Sequence, residues 1–279
     1  MKLTKNKVAA GLRACLLRFW TDRQGRLPLL GGVRPFLRRI VAAGSFVAVL
    51  VAASSMNAAA AAQSTEHVEL TMTYEFDYLR SLPDGYDVDR AKHWPLLVFL
   101  HGAGERGRNP EILKKHGVPK EIEQGRKLPC VVVSPQCPPN ERWNVFALEA
   151  FVERMAREHR IDRDRIYLAG LSMGGFGVWG MALRHPERYA AIIAVCGGGE
   201  SRYAAALKDL PVWAFHGDQD KVVAIERSQE MIDGIRAAGG APKFTVYPGV
   251  GHDSWTATFA NDEVYEWLFA QRRPDAVER

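Results

Sequence analysis

The sequence predicts a doubly wound α/β domain on a mostly parallel sheet. Three observations point to it. Short runs nearly continuous in Val, Ile, Leu and Ala recur along the chain, as in strands buried on both faces. Longer stretches with helical spacing alternate with them. Residues with reactive side chains gather just after the strand-like runs, where the ligand site of such a sheet lies.

In chain order, strands are predicted at 71–79, 96–100, 131–133, 166–168, 191–195, 212–215 and 244–247. Helices are predicted at 144–159, 173–185, 224–237 and 262–272. No internal repeat or linker divides this stretch, so 63–279 is predicted to be one catalytic domain. That length is enough to bury a single sizeable core.

Residues 1–62 have a different character. An apolar run at 40–53, IVAAGSFVAVLVAA, follows Arg38 and Arg39 and precedes an alanine-rich stretch at 58–62. This is the layout of a secretory signal with small-residue cleavage choices near Ala60 to Gln63. The run is short for a membrane span. We therefore expect a secreted or periplasmic protein with no stable membrane anchor once the leader is removed. The leader also sets the overall charge. It holds ten of the 37 basic and one of the 32 acidic side chains, leaving 27 against 31 beyond it, a net of −4. A domain without basic excess argues against nucleic acid as a partner.

Cys15 falls in the leader, while Cys130, Cys137 and Cys196 fall in the domain. Cys130 and Cys137 bracket an extended run that spans ~23 Å, beyond the ~7 Å a disulfide tolerates. No bridge between them is predicted. None of the three sits in a nucleophile-like turn. The His residues show no metal-ligand spacing, so neither metal nor cofactor is expected.

The segment RIYLAGLSMGGFGVW at 165–179 carries the chemistry. A strand-like run enters Gly170-Leu171-Ser172-Met173-Gly174, and a helical pattern leaves it. This is a G-x-S-x-G elbow, which strains its serine and raises the hydroxyl above a helix N-terminus. The strand end at His101 to Gly107 reads HGAGERG. Its glycines let the loop fold back and offer backbone N–H groups. Ala103 and Met173 are the expected oxyanion-hole donors. His101 suits bracing of that loop better than catalysis. At the next informative strand end, HGDQDKVV, Asp220 is the expected acid and Asp218 the runner-up. Either also suits capping of the helix near 224. His252, in VGHDSW after the last strand, is the expected base. The order Ser172, Asp220, His252 leaves 48 and then 32 residues, room for the intervening strands and helices. In such a triad His252 takes the Ser172 proton and Asp220 orients His252.

HGAGERG, SPQCPP with Trp143 nearby, GLSMGGFGVW, HGDQDKVV and GHDSWTATF together resemble secreted α/β-hydrolases of the phospholipase/carboxylesterase and dienelactone hydrolase type. Such proteins are also described as predicted peptidases or prolyl-oligopeptidase-like. The resemblance spans 74–271. It implies the α/β-hydrolase fold and ester hydrolysis by Ser172, Asp220 and His252.

Only 197–209 separates the strand ending near Cys196 from the next, too little for a large lid domain. The cleft is therefore expected to be open, which disfavours triacylglycerol lipase activity. Trp143 and Trp255 are candidate substrate-pocket residues. Phe176 and Trp179 read as core, and Glu105 as paired with Arg106, the alternative for Arg106 being a substrate carboxylate. The expected substrates are small-molecule or polysaccharide-linked esters with short-chain, aryl or polysaccharide-linked acyl groups. A serine peptidase of the same fold and a non-catalytic binding protein remain as alternatives. The sequence specifies no oligomeric state.

Overall fold

The computed structural model describes residues 64–273. The predicted leader at 1–62, with its apolar core at 40–53, lies outside the described residues. The chain divides into two compact units, Met1–His67 and Val68–Arg279. Of the first, only 64–67 are described; they are exposed, and the Ser64 hydroxyl bonds Glu66 at 3.0 Å.

The second unit is built on seven strands: β1 (Tyr78–Ser81), β2 (Trp94–Leu100), β3 (Val131–Pro135), β4 (Ile161–Leu171), β5 (Ala191–Val195), β6 (Val212–Gly217) and β7 (Lys243–Tyr247). They lie in the order β1-β3-β2-β4-β5-β6-β7. Only β1 runs antiparallel, against β3. The fold is that of an α/β-hydrolase, as predicted, and no lid domain is inserted among the described residues. Between β5 and β6 there is only a short 3-10 helix, Ser201–Leu207.

All seven residues of β2, WPLLVFL, are buried. Because side chains alternate across a strand, Leu96, Val98 and Leu100 enter one core and Leu97 and Phe99 the other. The first core is closed by α2 (Val145–Glu158), α3 (Met173–Arg184) and α4 (Glu226–Ala237). The second is flanked by α1 (Gly117–Glu123), α5 (Trp255–Ala260) and α6 (Asp262–Ala270). Helix α2 shows why these segments are helical. Asn144 caps it, its side-chain oxygen accepting from Phe146 and Ala147 N–H at 3.0 and 3.1 Å. Leu148, Val152, Met155 and Ala156 then repeat at helical spacing on the buried face.

The structure corrects several predicted bounds. The first strand covers 78–81 rather than 71–79. Its partner β3 leads into Cys137-Pro138-Pro139, and proline has no N–H to extend a ladder. The last bond is from Gln136 N–H to Asp77 O, 2.8 Å. Strand β4 starts at Ile161 rather than 166, through the polar run Asp162 to Arg165. Its pairing with β2 shifts register between Trp94 and Leu96, around Pro95. Helices α1 and α5 were not predicted. They have seven and six residues, and α1 carries Gly117 and Pro119 in its first turn.

Candidate active site

Strand β4 delivers Ser172 to the sheet's C-terminal edge, and α3 begins at the next residue. Ser172 has φ 50° and ψ −117°, a conformation unusual for a residue with a side chain. Its N–H donates to Val195 O at 2.9 Å and its carbonyl accepts from Phe176 N–H at 3.1 Å. The elbow is tight because its glycines permit close approach. A Cβ on Gly174 would lie 1.9 Å from Leu100 O.

Ser172, His252 and Asp220 come together. Ser172 Oγ lies 2.9 Å from His252 Nε2, and His252 Nδ1 lies 2.6 Å from Asp220 Oδ2. A carboxylate oxygen only accepts, so Nδ1 carries the proton and Nε2 faces the serine hydroxyl as acceptor. Asp220 Oδ1 accepts from the N–H groups of Val222 and Val223 at 2.8 and 2.9 Å. One carboxylate therefore holds the histidine and also secures the loop before α4. Burial opposes its charge, yet the bonds from His252, Val223 and Val222 outweigh burial and hold the acid below its ordinary range. Asp218 is exposed and accepts from Gly249 N–H at 2.7 Å, away from His252.

A cavity of about 420 Å³ opens beside Ser172, lined by Ala103, Met173, Trp143, Phe176 and two arginines, Arg106 and Arg142. Ala103 and Met173 each begin a helix, and the first N–H groups of a helix have no partner within it. A larger groove, about 770 Å³, runs along α2 and residues 72–78, but none of Ser172, Asp220 or His252 lines it. The smaller cavity is the one chemistry can use.

Trp143 lines this cavity, and its indole N–H donates to His101 O at 3.2 Å. Trp255 does not line it; its ring stands edge-on to His252 at 5.2 Å. His101 is buried, with Nδ1 2.5 Å from Gly102 O and Nε2 accepting from Cys137 N–H at 2.9 Å. Burial pulls its pKa down to about 4 against a raising bond to Gly102 O, with Arg106 adding to the fall. A neutral histidine with both nitrogens engaged by backbone braces the loop that carries Ala103.

Two expectations are corrected. Arg106 does not pair with Glu105. Its guanidinium donates to the carbonyls of Ala103 and Glu141 at 2.9 and 3.1 Å, while the Glu105 carboxylate turns inward toward His101 and His116. Trp179 is core, but Phe176 is only half-buried and lines the cavity. The i, i+3 spacing suggested one shared face; the elbow, however, exposes the first turn of α3 to the cleft.

Cys130, Cys137 and Cys196 are free and buried. Burial pushes the Cys137 thiol up to about 11 and that of Cys196 up to about 12, so neither supplies a thiolate nucleophile. Cys196, Asp220 and His252 offer ligand atoms within 4.8 Å of one another, the only such cluster among the described residues. Two of the three are already engaged with each other in the short Asp220–His252 contact.

This fold and this site define a serine esterase-type hydrolase. The chain belongs to the dienelactone hydrolase family, whose model matches residues 110–266. It is 24% identical over 234 residues to acyl-protein thioesterase 1 of Neurospora crassa, covering 68% of this chain and 91% of that protein. A bifunctional acetylxylan esterase/xylanase of Neocallimastix patriciarum is 24% identical over 173 residues, 57% of this chain and 25% of that protein. Among solved structures, a thermostable esterase superposes with a TM-score of 0.63 at 34% identity, over 72% of this chain and 60% of that one.

Proposed function

We propose that the protein hydrolyses carboxylic esters with short-chain, aryl or polysaccharide-linked acyl groups, through Ser172, His252 and Asp220. One observation carries the reading: the continuous contact from Ser172 Oγ through His252 to Asp220 at 2.9 and 2.6 Å, on a strained elbow. A serine hydroxyl is a weak nucleophile until a base takes its proton. In the proposed reaction His252 Nε2 takes it as Oγ attacks the ester carbonyl. The N–H groups of Ala103 and Met173 receive the developing oxyanion. The imidazolium then gives its proton to the leaving alcohol, and the acyl group stays on Ser172. Water, deprotonated by the same nitrogen, releases the acid and restores the serine. Asp220, with no exposed side-chain surface, keeps the tautomer and stabilises the charged imidazole throughout.

The absence of an inserted lid among the described residues supports soluble or polymer-borne esters over lipid droplets. The acetylxylan esterase relative supports a polysaccharide-linked acyl group. The test is a panel of p-nitrophenyl esters, feruloyl esters and peptide anilides with the wild type and Ser172→Ala. Esters are expected to turn over fastest, and the variant is expected to lose about 10⁴-fold or more in kcat. Faster anilide turnover would favour a peptidase, and an unchanged Ser172→Ala rate would remove the triad.

A further inference from the structure

Asp220 has a second histidine partner. His216 is fully buried at the end of β6, and its Nε2 lies 3.2 Å from Asp220 Oδ2, the oxygen that also receives His252. The same Nε2 lies 2.9 Å from Val223 O. Both neighbours are acceptors, so Nε2 carries a proton, which it gives to Val223 O while its edge lies against Oδ2. On the other side of the ring, Ser228 Oγ lies 2.8 Å from Nδ1 and 2.8 Å from Gly197 O, its single hydroxyl proton serving one of these two acceptors at a time. Ser228 is also fully buried. A chain of contacts thus runs from the turn after β5, through α4 and β6, to the catalytic carboxylate.

We infer that His216 is a positioning residue for the esterase reaction: its Nε2–H, given to Val223 O, anchors the turn whose N–H groups hold Asp220 Oδ1, and its ring edge backs Oδ2 where that oxygen meets His252. The inference rests on the triad assigned above. The carboxylate has three hydrogen-bond donors, Val222 N, Val223 N and His252 Nδ1, and the His216 Nε2 edge lies 3.2 Å from Oδ2 on its remaining side. Without His216, the Val222–Val223 turn loses its carbonyl anchor and Oδ2 has only His252 beside it, the group it has to orient. A carboxylate so held moves with the imidazole instead of directing it. Ser228 fixes the far side of the His216 ring, so α4 contributes to a site it does not line.

The titratable groups around this oxygen are His216 from β6, His252 from the loop after β7, and Cys196 from the end of β5, with Asp253 next to His252. Loss of the His216 ring, whose polar N–H edge lies 3.2 Å from Oδ2, leaves the charge of Oδ2 to His252. The imidazolium is then stabilised more, and the acid limb of kcat/KM moves to higher pH.

The experiment compares wild type, His216→Leu, His216→Gln and Ser172→Ala on p-nitrophenyl acetate. His216→Leu is expected to lose roughly 10- to 100-fold in kcat with little change in KM, the scale of a slight misplacement of a catalytic group. Its acid limb should move upward. His216→Gln keeps an N–H donor and should recover most of the rate and the wild-type limb. A folded leucine variant with wild-type kcat and limb overturns the inference, as does a glutamine variant equally impaired. If the leucine variant does not fold, Ser228→Ala decides: reduced kcat at unchanged KM supports the inference, and wild-type kcat overturns it. Wild-type turnover that survives Ser172→Ala is a different failure, that of the triad itself.

Discussion

Two strand ends carry the same dipeptide and use it differently. After β2 comes His101-Gly102, and at the end of β6 comes His216-Gly217. Both histidines are buried and have both ring nitrogens in polar contact. His101 faces backbone on both sides, and the loop it braces offers N–H groups to the cleft. His216 faces a carboxylate, and the loop that follows supplies an acid. The residues after the glycine account for the difference: Ala-Gly-Glu turns at once into a 3-10 helix, whereas Asp-Gln-Asp returns a side chain to the sheet edge. A His-Gly strand end is a bracing device, and what it braces is set downstream.

The largest expected break in this comparison is at the acid. Asp220→Asn should lower kcat by about 10⁴-fold, because the amide favours the wrong histidine tautomer. Asp218→Asn should stay within a few-fold, since that carboxylate reaches only Gly249 N–H. Steady-state kinetics of both variants check this, and the reverse ranking moves the acid to Asp218.

The two glycines give the next contrast. A Cβ on Gly217 would lie 2.2 Å from Val250 O and 2.4 Å from Gly251 O, both backbone atoms of the loop that carries His252. Gly217→Ala is expected to cost about 1–3 kcal/mol of stability and about 100-fold in kcat. On Gly102 the closest atom would be Leu171 Cδ1 at 2.8 Å, the end of a side chain that has rotamers to use. Gly102→Ala should remain within about 1 kcal/mol of wild type. Thermal melts and kcat for the pair separate a rigid contact from a yielding one.

The last expected effect is a pH slope. His101 stays neutral in the folded chain to about pH 4 and takes up a proton near 6.5 when unfolded. The unfolded state therefore binds more protons between these values, so stability falls as pH drops from about 6.5 towards 4. The contribution is at most about 3 kcal/mol. Urea unfolding at several pH values should show the slope, and His101→Gln should flatten it.

The elbow was legible because its requirements are local: a strand, five residues and a helix lie side by side in the chain. The order of Ser172, Asp220 and His252 was legible because each follows its own strand. Asp220 and Asp218 differ by two positions, and only the fold shows which one turns to His252. His216 was read as part of a strand end because its partners, Ser228 and Asp220, meet it only after α4 docks. Phe176 was assigned to the core because helical spacing reports a shared face but not what lies opposite. Helix α1 was not predicted: it has only seven residues, and Gly117 and Pro119 in its first turn leave no helical repeat to detect.

The sheet order has a further consequence. His252 follows β7, an edge strand whose residues are only partly covered, while Ser172 follows the central β4. The base is thus attached to an edge of the sheet, where local opening is easiest, and the nucleophile to its buried centre. Catalytic competence reports on the fraying of one edge, so heat or denaturant should silence the protein well before its helices are lost.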